Sequence, residues 1–301
     1  MTFDFDSSIE IRENEPLSRH SSFRIGGPAK IAVFPKDKNE FLEVIKAVQG
    51  CNYKYMVVGN GSNLLFDDEG FDGIIIFTKH MTSTEYVHKF ESTLIKVECG
   101  KSLTELASEA GKKHSLTGLE FAYGIPGTVG GAVYMNAGAY GGQMSDVVIE
   151  TEYFDPTDES VKLIRGGEHR FDYRHSLFAD HPEYVILSTT LEMKEGSAEE
   201  IFALMNKNMT SRREKQPLEY PNAGSTFKRP EGHFAGKLIE DSGLKGYTVG
   251  GAQISQKHAG FTVNVGGATS KDVLAVMEHT KNVVLERFGV MLESEIIYVP
   301  K

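Results

Sequence analysis

The sequence predicts an α+β protein of more than one lobe, and three observations carry that prediction. Four stretches place apolar residues at helical spacing, three of them behind helix-capping signals, seven short β-rich runs lie among them, and a chain of 301 residues exceeds the usual size of one compact core. Asp37-Lys-Asn-Glu40 has the form of a capping box, followed by Phe41, Leu42, Val44, Ile45 and Val48 on one helical face, with Gly50 as the stop. The same grammar recurs at Ser102 to Glu105, before Leu106, Ala107 and Ala110. It recurs again at Ser197 to Glu200, before Ile201, Phe202, Leu204, Met205 and Met209. A fourth helix is expected from about Lys271 to Phe288, with Val273, Leu274, Val276, Met277, Thr280, Val284 and Phe288 mostly inward.

The β-rich runs are Ile31 to Phe34, Tyr55 to Val58, Gly73 to Phe77, Leu94 to Cys99, Val147 to Phe154, Tyr184 to Met193 and Ile296 to Val299. The early strand-helix-strand order predicts a small α/β lobe. The stretch 147–193 reads instead as antiparallel strands turning at Asp155-Pro156 and Gly166-Gly167. A polar link, Lys194-Glu-Gly-Ser197, predicts a boundary near residue 196.

Charge changes at the same place. Residues 197–301 carry 13 Lys+Arg against 12 Asp+Glu, so nearly all of the net charge of -10 lies in the first 196 residues. Within 212–237, Arg212, Arg213, Lys215, Lys228, Arg229 and Lys237 outnumber the acidic residues, a stretch that either attracts a small anion or is a solvated basic face. The overall negative charge argues against broad binding to nucleic acid or an anionic membrane, so small-molecule partners are expected. The opening Met1-Thr-Phe-Asp-Phe-Asp6 is acidic where a signal peptide is basic, and no stretch approaches a run of about 18 apolar residues, so a cytoplasmic location is expected. Cys51 and Cys99 lack metal or redox spacing and are expected to be buried, reduced thiols. The ten histidines show no metal-ligand spacing, and no metal is expected.

Two glycine-rich segments carry the chemistry. In Val57-Val-Gly-Asn-Gly-Ser-Asn63 an apolar strand runs into a turn whose backbone amides can approach a pyrophosphate, with Ser62 and Asn63 adding side-chain donors. It matches neither a P-loop nor a Rossmann fingerprint, and Asn-Gly is also a common hairpin turn. The second segment, Gly124-Ile-Pro-Gly-Thr-Val-Gly-Gly-Ala132 continuing to Gly142, has seven glycines in 19 residues. That density is costly in chain entropy and makes sense where backbone lies against a ligand, although a tight packing loop has the same composition.

The combination of Gly59-Asn-Gly-Ser-Asn63, Gly118-Leu-Glu-Phe-Ala122, Gly124-Ile-Pro-Gly127, Tyr134-Met-Asn-Ala-Gly-Ala-Tyr140, Tyr173-Arg174, Gly224-Ser225 and Glu295 resembles the UDP-N-acetylenolpyruvoylglucosamine reductase family, in motif order and from about Ser21 to Val299. The run Tyr173-Arg-His-Ser176 into the next strand resembles its shorter, type II branch. The resemblance implies an FAD-binding fold of the vanillyl-alcohol oxidase (PCMH) type over residues 1–196, in subdomains of about 1–78 and 79–196. An α+β substrate-binding domain over 197–301 would follow. It implies noncovalent FAD held by Val58, Gly59, Asn60, Gly61, Ser62, Asn63, Gly124, Ile125, Gly127 and Thr128. Tyr123 departs from the family pattern, which has a small residue there, and this touches the packing around the flavin.

The implied activity is reduction of UDP-N-acetylglucosamine enolpyruvate by NADPH through FAD, a step of peptidoglycan precursor synthesis. The implied catalytic residues are Arg174, Ser225 and Glu295. Arg174 supplies a permanent cation for a carboxylate, Glu295 in its protonated form donates to the same developing charge, and Ser225 protonates C2. Lys215, Arg229 and His258 match family positions near the nucleotide sugar. Two other readings stand beside this one: a flavin-dependent oxidase of the same fold, and a nonenzymatic FAD-binding regulatory module. Neither accounts for the trio.

Overall fold

Asp37 begins the first helix as expected. Its carboxylate accepts the N–H groups of Asn39 and Glu40 at 2.8 and 3.0 Å, and Glu40 reaches back to the N–H of Lys36 at 2.8 Å. The helix Lys38–Gln49 buries Phe41, Val44, Ile45 and Val48 completely. Ser102 caps Leu103–His114 through the N–H of Glu105, and that helix stops at Ser115, which turns left-handed. The computed structural model describes residues 8–51 and 53–301; the acidic opening Met1 to Asp6 lies outside them.

The described residues fall into two compact units. The first comprises 8–12, 32–51, 53–60 and 74–211, and the second comprises 13–31, 61–73 and 212–301. Two early stretches thus belong with the C-terminal residues, an association that a single linear boundary does not express.

In the first unit, Tyr55–Val58 pairs in parallel with the second half of Phe71–Phe77, from Tyr55↔Ile74 to Val58↔Phe77. The ring of Phe34 stacks on that of Phe77 at 5.1 Å. A larger antiparallel sheet has the strand order Ser160–Arg165, Val148–Asp155, Val185–Glu195, Thr93–Glu98, Thr84–His88. Its hairpin closes at Asp155↔Ser160 through the expected Asp155-Pro156 turn. The expected α/β start and antiparallel 147–193 region are both present.

In the second unit, Leu64–Phe66 pairs in parallel with Ile297–Val299, and Asp68 accepts the N–H and hydroxyl of Ser270 at 2.7 and 2.8 Å. These bonds tie residues 61–73 to the helix Ser270–Phe288, whose cap is Thr269 with Asp272. Around them lies a core of Phe23, Leu65, Phe227, Ile254, Val273, Val284 and Ile296, among others.

Three side chains depart from the expected inward faces. Phe202 and Leu204 on Ala198–Lys215 are each 44% exposed, while Ile201 and Met205 supply that helix's buried stripe. Phe288 is 41% exposed because it occupies the last turn, just before the left-handed Gly289. Both cysteines are free thiols; Cys99 is buried as expected, but Cys51 is only half-buried, just past the end of the first helix. No helix among the described residues is long and apolar enough to cross a membrane.

Candidate active site

Inside the first unit, Gly59 and Asn60 of the first glycine-rich segment meet the second segment; residues 61–63 belong to the second unit. A Cβ at Gly59 would lie 2.3 Å from Oγ1 of Thr128, so this approach admits only glycine. Asn60 donates its side-chain amide to the carbonyl of Pro126 at 3.0 Å. The second segment is fixed from behind by Thr104, whose hydroxyl donates to the carbonyl of Ile125 at 2.7 Å and accepts the N–H of Gly124 at 3.1 Å. Backbone bonds from Leu103 to Gly127 and from Val129 to Lys101 complete the anchoring. Within the first unit, the N–H groups of Asn60, Gly127 and Thr128 donate to no protein acceptor among the described residues. Glycine-permitted backbone with amides to spare is the donor set that a dinucleotide pyrophosphate requires, so these residues fit FAD.

The residues just ahead of this loop are also held in place. Glu120 is buried and accepts from the Thr117 hydroxyl at 2.6 Å and the Gly118 N–H at 2.8 Å, while its own carbonyl accepts from Asn208 at 3.2 Å. Tyr123, the residue that departs from the family pattern, is half-buried with the ammonium of Lys112 at 5.7 Å from its ring.

Arg174 also lies in the first unit, at the third position of the turn Asp172-Tyr173-Arg174-His175. Reciprocal backbone bonds between Asp172 and His175, at 3.1 and 3.2 Å, close that turn. Arg174 has φ +54°, a left-handed conformation usual for glycine. Its guanidinium packs 5.1 Å from the ring of Tyr173 and donates to the carbonyl of Gly138 at 3.4 Å.

Ser225 and Glu295 belong to the second unit, where one residue joins them. The carbonyl of Thr226 accepts the N–H of Glu295 at 3.0 Å, the N–H of Thr226 donates to Gly260 at 2.8 Å, and Phe227 bridges Ser294. The Thr226 hydroxyl, fully enclosed, donates to Thr262 at 3.0 Å and accepts the Thr262 N–H at 2.8 Å. Just before Ser225, Gly224 takes φ +78° while its N–H is held by the Asn222 side chain at 2.9 Å. Both Ser225 and Glu295 are half-buried, on backbone with little freedom.

His258 enters the same region through Gly260. Its Nδ1 accepts the Gly260 N–H at 3.1 Å, so Nε2 is the protonated nitrogen available to a ligand. Burial lowers the pKa of the ring, which keeps it neutral near neutral pH. Lys215 is exposed at the end of Ala198–Lys215, and Arg229 is exposed with its guanidinium 4.7 Å from the ring of Phe234.

Residues 29–164 match the model described as "FAD binding domain", and residues 216–299 match "UDP-N-acetylenolpyruvoylglucosamine reductase, C-terminal domain". Among curated relatives named UDP-N-acetylenolpyruvoylglucosamine reductase, that of Caldicellulosiruptor saccharolyticus is 47% identical, covering 97% of this chain and 93% of the relative. That of Caldanaerobacter subterraneus subsp. tengcongensis is 44% identical, over 94% and 91% of the two. The crystal structure of the reductase from Thermus caldophilus superposes with a TM-score of 0.79 at 34% identity, covering 97% of this chain and 99% of that one. A solvent-stable cholesterol oxidase, 14% identical with a TM-score of 0.50, shares the fold alone over 64% of this chain and 40% of its own. The expected FAD-binding fold with a reductase-type C-terminal domain is thereby established, and the chain belongs to the UDP-N-acetylenolpyruvoylglucosamine reductase family.

Proposed function

We propose that this flavoenzyme reduces UDP-N-acetylglucosamine enolpyruvate to UDP-N-acetylmuramate with electrons from NADPH, in the cytoplasmic stage of peptidoglycan precursor synthesis. The observation that carries the reading is the shared anchoring of Ser225 and Glu295 through Thr226, in the stretch matched by the reductase C-terminal domain. A proton donor and a carboxyl group held on adjacent, hydrogen-bonded backbone are what reduction of an enol ether next to a carboxylate needs.

In this reading residues 1–196 seat the flavin, chiefly through segments 57–63 and 124–128, and residues 197–301 carry the sugar nucleotide. Bound FAD supplies hydride chemistry. Arg174 holds the enolpyruvyl carboxylate through its guanidinium and stabilises the negative charge that reaches it. Glu295, in its protonated form, donates to the same charge. Ser225 delivers its hydroxyl proton to C2; a serine is a weak acid, so this step depends on pre-positioning and on the strong carbon basicity of an enol-like species. Lys215, Arg229 and the Nε2–H of His258 meet the phosphates or the sugar.

The test is steady-state turnover of the FAD-loaded protein. NADPH oxidation that depends on added UDP-N-acetylglucosamine enolpyruvate, with no matching oxygen uptake, is the expected result. Oxygen consumption with an alcohol or sugar donor would make the chain an oxidase, and absence of any turnover would make it a flavin-binding module.

A further inference from the structure

Arg174 sits where a type II-like turn ordinarily places glycine, on a turn whose residues Asp172 and Tyr173 are exposed. A non-glycine residue in this conformation persists when its surroundings over-determine it. Those surroundings are the segment 134–145 of the same unit. Ser176, fully buried just past the turn, donates its hydroxyl to the carbonyl of Tyr134 at 2.7 Å. At the other end of the turn stands Asn136, only 2% exposed and itself left-handed at φ +40°. Its Nδ2 donates to the carbonyl of Asp172 at 3.1 Å and to Oε1 of Gln143 at 3.4 Å, and its Oδ1 accepts the N–H of Ser145 at 2.9 Å.

The Ser145 bond settles which way the amide faces. A backbone N–H can meet only the amide oxygen, so the nitrogen is turned to the carbonyl of Asp172, the same carbonyl that closes the turn with His175. Asparagine is suited to this place for two reasons: it tolerates the left-handed region better than other side chains, and its one amide both donates and accepts. Aspartate would keep the Ser145 contact but set a carboxylate against the Asp172 carbonyl.

We propose that Asn136 is the positioning residue for Arg174, fixing the Asp172 carbonyl and with it the turn that presents the guanidinium to the substrate carboxylate. This rests on the reading of Arg174 as the carboxylate-holding cation. The test uses FAD-loaded enzyme, reduced anaerobically and then mixed with UDP-N-acetylglucosamine enolpyruvate, for Asn136→Gly, Asn136→Asp, Arg174→Ala and the double variant Asn136→Gly/Arg174→Ala. Asn136→Gly keeps the backbone conformation accessible and removes the tether; Asn136→Asp, which keeps the Ser145 bond, serves if the glycine variant does not fold. Either is expected to slow flavin reoxidation by about tenfold to a hundredfold with FAD content unchanged, as a small misplacement of a substrate-holding group does. The double variant is expected to match Arg174→Ala within about twofold, because a residue that acts only through Arg174 has nothing left to position. A wild-type rate in both Asn136 variants while Arg174→Ala is impaired, or a double variant slowed by the product of the two single effects, overturns the positioning role alone. A wild-type rate in Arg174→Ala removes the reading beneath it.

Discussion

The side-chain amide of Asn63 donates to the backbone carbonyl of Glu295 at 3.0 Å, across 232 positions of sequence, and the carbonyl of Asn63 accepts from the N–H of Ile297 in return. The end of the first glycine-rich segment and the backbone at Glu295, just ahead of the strand Ile297–Val299, are thus locked together within the second unit. Removing the amide in Asn63→Ala leaves the Glu295 carbonyl one donor short while the parallel pairing of 64–66 with 297–299 persists. We expect a loss of about 1 kcal/mol in urea unfolding, and stability equal to that of the parent would show that the bond contributes nothing.

Gly59→Ala is expected to weaken FAD binding by about tenfold or more, since overpacking of about 1–3 kcal/mol has to be relieved by parting Gly59 from Thr128. Gly167→Ala is the control: nothing lies within 4 Å of its would-be Cβ, and its flavin affinity is expected to match the parent's. Flavin fluorescence titration reads both. Equal affinities in the two variants would dissociate the Gly59–Thr128 contact from the cofactor.

Asp155 gives the chain a component of acid sensitivity. Burial pushes its carboxyl up, but hydrogen bonds from Lys162 and Thr157 together outweigh burial and hold it down at about 2, against an ordinary 3.8. A depressed folded-state value means that its contribution is complete above the ordinary value and is lost as pH falls from 3.8 toward about 2. The stability gap between the parent and Asp155→Asn is therefore expected to be constant above that window and to narrow through it in thermal melts. A gap that stays constant through the window contradicts the assignment.

The two thiols are expected to differ in reactivity. Burial pushes Cys99 up to about 12, so it presents almost no thiolate at neutral pH, whereas Cys51 is half-buried, its thiol donating to the Ala47 carbonyl at 3.2 Å. Titration of the native protein with a thiol reagent is expected to find one reacting group, lost in Cys51→Ser. Prompt modification of Cys99 would mean that its surroundings open.

Much of this was legible in the sequence because it is local. The Asp37 and Ser102 caps, the apolar stripe of Lys38–Gln49 and the Asp155-Pro156 turn each depend on residues a few positions apart. The parallel pairing of Leu64–Phe66 with Ile297–Val299, and the membership of 13–31 and 61–73 in the C-terminal unit, arise from contacts more than 200 residues apart that leave no periodic trace. At the site, glycine density drew attention to segments 57–63 and 124–142, and motif order marked the family. Thr104 went unmarked, and Glu120 and Asn136 were marked only as members of family motifs and not by what they hold, because nothing in residue type separates such a group from an ordinary helix threonine, surface acid or turn asparagine. Phe202 and Phe288 erred in the opposite direction, since apolar character signals a buried face only when the neighbouring elements cover it.

The central claim is most directly tested by separating the two halves of the reaction. The FAD-loaded protein is reduced anaerobically with NADPH, and UDP-N-acetylglucosamine enolpyruvate is then added while flavin absorbance is followed in the parent and in Ser225→Ala. The account predicts bleaching and full recovery of absorbance in the parent, and in Ser225→Ala normal bleaching with product formation slowed by about a hundredfold or more. Flavin that stays bleached in the parent after the enolpyruvyl sugar nucleotide is added would contradict the function, and normal product formation by Ser225→Ala would contradict the assignment of the proton donor.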